Sequence, residues 1–193
     1  NSPEDLNLIF ACNRKYYDSY SDKAVFKDCK VDVVFCEDLK KSEEHLRYIK
    51  NCSSQGLWRY SIERFFIIQE IFREKNISSA FHIECDNTIY CDLNLLKPAL
   101  DKNYNGLAIV FDSNNRAIIS FMYIKNQRAI DLFAREFANN TQQGVTDMYL
   151  PREIEKKYGA SLIANLPLVP KLYADKGLLK NKIGERLIRP EQF

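Results

Sequence analysis

Three short runs of strand-forming residues, each closed by an Asx residue or an acid, constrain this chain more than any other feature. Residues 6–12 (LNLIFAC) end at Asn13, residues 31–36 (VDVVFC) end at Glu37 and Asp38, and residues 80–83 (AFHI) end at Glu84 and Asp86. Runs of this length and composition read as strands. Helical patterns separate them, and a strand pair follows, which favours a mixed α/β sheet over a sandwich or a bundle. Ligands of open α/β sheets collect beyond the carboxyl ends of strands, so Asn13, Asp38, Glu84 and Asp86 are candidates by position.

The intervening segments fill in the layers. A loop and a short helix are expected within 16–30, and a loop with some helix near 43–49 within 40–56. From Ser61, read as an N-cap, the residues Ile62, Phe65, Phe66, Ile68, Ile71 and Phe72 draw an apolar helical stripe. Glu63, Arg64, Glu70, Arg73 and Glu74 lie opposite or beside it. Residues 93–100 predict a turn of helix broken at Pro98. Residues 106–111 and 117–124 predict a hairpin across 112–115. Asn126 predicts the cap of a helix over 127–138 whose inner face is Ile130, Phe133, Ala134 and Phe137. Residues 145–158 give a weaker helical pattern interrupted at Pro151, residues 161–164 a late strand, and residues 171–193 a charged tail wrapping the surface. No repeat, low-complexity tract or linker divides the chain.

Composition excludes several classes. A chain of 193 residues, 46% hydrophobic and 28% charged, fits one domain with a single sizeable core. Lys and Arg (28) barely exceed Asp and Glu (26) and are interleaved with them, so no basic field argues for nucleic acid. The apolar runs fall far short of the roughly 20 residues of a spanning helix, so no membrane span is expected. The six cysteines include no C-x-x-C and no clustering with histidine. Reduced, partly buried thiols in a cytoplasmic setting are expected rather than a disulfide frame or a zinc site.

The triplet Glu84-Cys85-Asp86 carries the most chemistry. A turn there gathers Glu84, Asp86 and Asn87 around an oxygen-lined point suited to Mg2+ or Mn2+. The same triplet also reads as a solvated strand end, with Asp86 capping Asn87 or Thr88.

Taken together, LIFACN (8–13), WRYSIERFF (58–66), FHIECDN (81–87), SFMYIKN (120–126), GVTDM (144–148) and LPLVP (166–170) resemble the GT-A nucleotide-sugar glycosyltransferases over most of the chain. The resemblance implies a GT-A, Rossmann-like mixed α/β sheet with helices on both faces in a single domain. Residues 1–100 would form the nucleotide-sugar and metal half and 101–193 the acceptor half. It implies metal-dependent transfer of a sugar from a nucleotide-diphosphate donor, with a UDP-sugar favoured, to a glycan or other hydroxyl acceptor. Asp86 would be the main Mn2+ or Mg2+ ligand of a D-x-D-like motif, with Glu84 a second ligand or donor contact. Phe10, Ala11, Asn13 and Asp38 would border the nucleotide, and Arg64 would bind the donor sugar or phosphate. Asp147 would be the catalytic acid or base facing the anomeric carbon, either deprotonating the acceptor hydroxyl or steadying positive charge. Tyr123, Lys125 and Asn126 would line the acceptor side, and Trp58 would stack on a sugar.

Each assignment has a plainer alternative. Arg64 reads also as a solvated helix residue, Asn13 and Asp38 as turn formers, and Asp147 as an acid favoured by a helix N-terminus. His45 and His82 read as structural. Glu84 departs from the Asp that opens the family motif, and no histidine follows His82. The alternatives for the whole chain are a catalytically weak nucleotide-sugar binding module, or a metal-dependent nucleotidyl- or phosphotransferase. Six glycines without a phosphate loop count against the latter.

Overall fold

The computed structural model describes residues 7–19, 31–53, 55–89, 92–142 and 145–166. The expected tail 171–193, the segment 167–170, Leu6, and the greater part of the expected loop and helix at 20–30 lie outside the described residues. Numbered along the chain, the strands are β1 (Ile9–Cys12), β2 (Asp32–Phe35), β3 (Ala80–Ile83), β4 (Leu107–Phe111), β5 (Ala117–Ile124) and β6 (Ile163–Asn165). The helices are α1 (Arg14–Ser19), α2 (Glu43–Asn51), α3 (Leu57–Glu74), α4 (Leu93–Asn103), α5 (Gln127–Asn139) and α6 (Leu150–Tyr158).

The strands form a mixed α/β arrangement, but in two sheets rather than the one expected. β1 and β2 pair in parallel, Ile9 opposite Asp32 and Cys12 opposite Phe35. The other four run in the order β3-β5-β4-β6, antiparallel except for the parallel β4/β6 edge. The division has a packing cause: Ile9 and Val34 of the small sheet seat on Ile67 and Ile71 of α3. The expected hairpin is β4–β5, with a bulge between Ile109 and Val110.

Side-chain alternation along the strands builds two apolar layers on the larger sheet. Leu107, Ile109, Met122 and Ile124 face α3 and α5, where Phe65, Phe133 and Phe137 meet at centroid separations of 5.0–5.1 Å. Ala108, Tyr123 and Phe121 face the other way, against Leu100 of α4 and Tyr104. All four expected inner-face residues of α5 are fully buried, and the Asn126 side chain accepts from the Ala129 amide as predicted. Fully burying a Phe, Ile or Leu is worth about 1.5–3 kcal/mol, so these two layers hold the molecule together. The division expected at residue 100 falls inside α4, and both halves contribute strands to the larger sheet.

Several local expectations are corrected. α3 begins four residues before Ser61, after Gly56 at φ 59°, and the Ser61 hydroxyl donates to the Trp58 carbonyl from inside the helix. That first turn escaped the apolar period because Leu57, Trp58 and Tyr60 are exposed. Pro98 does not break α4: it removes the amide that would have bonded the Asn94 carbonyl, while the Asp92 side chain caps the start and the helix runs on to Asn103. Pro151 sits in the first turn of α6, where a missing amide is harmless.

Glu70, expected opposite or beside the apolar stripe, is buried. It serves a buried clamp between α2 and α3. The His45 Nδ1 lies 2.8 Å from Glu70 Oε1, and its Nε2 lies 3.0 Å from Glu63 Oε1. The Ser42 amide donates to the same Glu70 oxygen at 2.8 Å, and the ring stacks on Phe66. Two carboxylates on two ring nitrogens require both to donate, so the ring is an imidazolium. Burial by itself lowers the His45 pKa, but the hydrogen bonds to Glu63 and Glu70 outweigh it and raise the value above 6.5.

A group whose pKa rises on folding stabilises the fold below its unfolded value and loses that contribution as pH climbs through the folded one. Denaturation midpoints of the wild type are therefore expected to fall as pH rises above 6.5, and His45→Gln should flatten that slope. The same variant should lower stability on the acid side of the window by about 3 kcal/mol, since it leaves the buried Glu70 carboxylate without a cation. A second test concerns Gly106, where an added Cβ would lie 2.2 Å from the Leu162 carbonyl oxygen. Gly106→Ala must push β4 from the chain entering β6, and a loss of about 2–4 kcal/mol on denaturant titration is expected.

Candidate functional site

Arg64 projects from the middle of α3, held between turns whose Phe65 and Phe66 are fixed in the core. Its two terminal nitrogens go to different parts of the chain. Nη1 pairs with Glu84 Oε1 at the end of β3, and Nη2 donates to Asp147 Oδ2 at 2.8 Å. Three residues singled out in the sequence, separated by as many as 83 positions, thus share one ion-paired cluster. Side-chain exposures of 21% for Arg64, 30% for Glu84 and 12% for Asp147 place it at the mouth of the fold rather than on open surface.

Each partner is positioned by backbone. The Glu84 amide donates to the Ser120 carbonyl at 2.9 Å, extending the β3/β5 ladder by one residue. The Asn87 amide then closes a turn onto the Glu84 carbonyl at 3.0 Å. Asn87 Nδ2 donates to the Ser120 carbonyl, so its amide braces this turn. Asp86 lies exposed within the turn, feels the Arg64 charge, and makes no hydrogen bond among the described residues.

Asp147 belongs to a turn before α6. Thr146 Oγ1 accepts from the Met148 and Tyr149 amides, and the Met148 carbonyl is tied to the Ala117 amide of β5. α6 itself starts at Leu150, so Asp147 is turned to Arg64 instead of sitting in the first turn of the helix.

The electrostatics are those of a partly desolvated pair. Burial raises the Asp147 pKa above the ordinary carboxylate value, and the Arg64 charge and the backbone amides of Asp147 and Met148 only partly oppose it. Burial likewise lowers the Arg64 pKa, against the pull of Asp147 and Asp86. His82, two residues before Glu84, is driven down to about 4 by burial and then by the Arg64 charge, so it is neutral at neutral pH. Its Nε2 and the Arg64 Nε are both sealed from solvent without a hydrogen-bond partner.

The remaining candidates lie elsewhere. Asn13 and Asp38 both lie at the carboxyl end of the β1/β2 pair, each with a different partner: Asn13 Nδ2 donates to Glu37 Oε1 at 3.1 Å, and Arg14 Nη2 pairs with Asp38 Oδ2 at 2.6 Å. Ala11 is exposed in β1 and Phe10 half-buried. Neither Asn13 nor Asp38 bonds to Arg64, Glu84 or Asp147. Tyr123 is buried in the opposite layer with its hydroxyl on Asp101, and Lys125 Nζ reaches Asp101 Oδ1 at 2.7 Å. With Asn126 capping α5, that trio serves the fold. Trp58 is 54% exposed.

Sequence reasoning missed Ser61 and His82 as neighbours of Arg64, and Glu37 as the partner of Asn13. Glu37 was visible as the first acid after β2. Ser61 and His82 offered only spacing: one helical turn before Arg64, and one strand repeat before Glu84.

Among the described residues no group of three or more His, Cys, Asp or Glu converges as a metal-ligand set, and no helix is long and apolar enough to cross a membrane. Comparison with protein-family models, with curated proteins and with solved structures finds no match for this chain.

Arg64→Met removes the cation from both Asp147 and Glu84, so burial raises the Asp147 pKa further. A carboxyl whose folded pKa is raised opposes folding at high pH, and that opposition disappears below its unfolded value. The variant is expected to lose about 2 kcal/mol at neutral pH, less than a fully buried pair because the cluster is partly solvated. Part of the loss should return on acidification in a pH series of denaturant titrations.

Proposed function

We propose that this chain is a GT-A-type glycosyltransferase that moves a sugar from a nucleotide-diphosphate donor to a hydroxyl acceptor. The observation that carries the reading is the Arg64 fork, which joins the acid at the end of β3 to the acid before α6. These are the positions at which the resemblance puts the donor contact, the motif acid and the catalytic acid.

The residues suit the chemistry. Arg64 presents a planar cation to a leaving diphosphate, whose charge must be neutralised as the glycosidic bond breaks. Asp147, with a pKa raised by burial, is a stronger base than a solvated carboxylate and is suited to take the proton of the acceptor hydroxyl. Asn13 and Asp38 lie at strand ends where a base and ribose are read in open α/β sheets.

For a cation, Asp86 is the better ligand because it is exposed and free of hydrogen bonds among the described residues. Glu84 already shares its charge with Arg64. One or two carboxylates suffice for Mg2+ or Mn2+ when phosphate oxygens and water complete the shell. Bound there, the ion would supply Lewis-acid neutralisation of the diphosphate.

A second reading is a nucleotide-sugar binding module without turnover. It is favoured by the Arg64–Glu84 pairing together with the lack of a three-residue ligand set among the described residues.

A thermal-shift panel of nucleotide sugars with and without Mn2+ tests both, because a ligand of the native state raises apparent stability. A UDP-sugar is expected to shift the midpoint more with Mn2+ than without, and Asp86→Ala should abolish the difference. Release of free UDP separates enzyme from binder: Asp147→Asn should cut turnover by about 10²–10⁴-fold while leaving the donor shift intact. An Asp86→Ala protein that responds to Mn2+ as wild type does would refute the metal assignment.

A further inference from the structure

A second candidate site lies away from the Arg64 cluster and shares no residue with it. The last turns of α3 and the outer face of α5 enclose an open cleft of about 500 Å3, within the usual range for small-molecule sites. Arg73, Arg128 and Arg135 line it, against Glu44 and Asp131, with Gln69 and Leu132 completing the wall. Arg128, Asp131, Leu132 and Arg135 recur at helical spacing, so α5 presents them as one stripe.

The polar groups of this cleft satisfy one another only in part. Asp131 Oδ1 accepts from Gln69 Nε2 at 2.9 Å and from Gln127 Nε2 at 2.7 Å, and the nearest guanidinium, that of Arg73, stands off at 3.9 Å. Arg128 and Arg135 have no hydrogen bond or ion pair among the described residues, and Arg135 feels its neighbour Glu136 only through space. Every other described arginine meets a carboxylate or an amide oxygen. At the floor, Gln69 is 1% exposed and its Oε1 has no donor. The orientation of that amide is fixed, because turning it over would set its oxygen against Asp131.

We propose that this cleft binds a small organic phosphate that carries a hydroxyl. The phosphate takes the Arg128 and Arg135 forks, which pair bidentately with such oxygens, and Arg73 adds a third positive charge at the rim. The hydroxyl supplies the donor that Gln69 lacks. The organic part runs past Arg128 into an adjoining hollow of about 420 Å3 that shares Arg128 and Leu132 and continues to Tyr158 and Leu162.

The test is calorimetric titration of the whole chain with inorganic phosphate and with glycerol 3-phosphate. EDTA is present throughout, so that no divalent ion engages the Glu84/Asp86 turn. Saturable binding is expected, tighter for glycerol 3-phosphate than for phosphate. It should weaken by at least about tenfold in Arg128→Gln/Arg135→Gln, the loss of two charge-assisted contacts at exposed positions. Arg64→Met, which removes the cation of the other cluster, should bind as wild type does. The proposal is overturned by absence of saturable binding, by equal affinity of the double variant and wild type, or by equal affinity for the two probes. Loss of binding in Arg64→Met would also overturn it, by moving the phosphate to the Arg64 cluster.

Discussion

α3 is buried along two faces at once, and the position of nearly everything else follows from that. Ile62, Phe65, Phe66 and Phe72 close the core of the four-stranded sheet, while Ile67 and Ile71 carry the β1/β2 pair. The remaining flank takes the His45 clamp from α2. A helix gripped this way has no rotational freedom, so Arg64 is aimed by the packing of its sequence neighbours. The ion pairs with Glu84 and Asp147 then form between groups already held close, which is why a semi-exposed guanidinium can bridge two segments without a large ordering cost.

The cluster is best seen as a contest between burial and charge. In an exposed pair Arg64 would depress the Asp147 pKa, yet burial prevails and the carboxyl stays above its ordinary value. The same burial holds His82 neutral beside the arginine. Two ionisable groups are therefore tuned by burial and by one cation, the environment in which perturbed groups concentrate at functional sites.

Much of the fold was legible in the sequence because its signals are local. β3, the β4–β5 hairpin and α5 with its Asn126 cap fall where period and turn chemistry put them. What was not legible depended on partners distant in the chain. Nothing beside the apolar stripe marked Glu70 as the buried partner of His45, and the exposed Leu57-Trp58 turn hid the true start of α3. The separation of β1/β2 from the larger sheet had no sequence signal, since short apolar runs do not say which neighbour they pair with. In the site, Arg64, Glu84 and Asp147 were each nameable in advance, whereas their shared ion-pair geometry required the folded chain.

The span of that cluster sets when it comes into being. Glu84 is brought to α3 early in sequence, by a short connection, but Asp147 arrives from 83 positions away, after the hairpin and α5 have been laid down. Contacts of such separation close last, because the loop entropy must be overcome before the contact repays it. During synthesis the arginine and the first acid would emerge together and await a carboxylate still inside the ribosome. A chain released before residue 147 would hold only the Arg64 and Glu84 part of the constellation and lack the second of the two counterions.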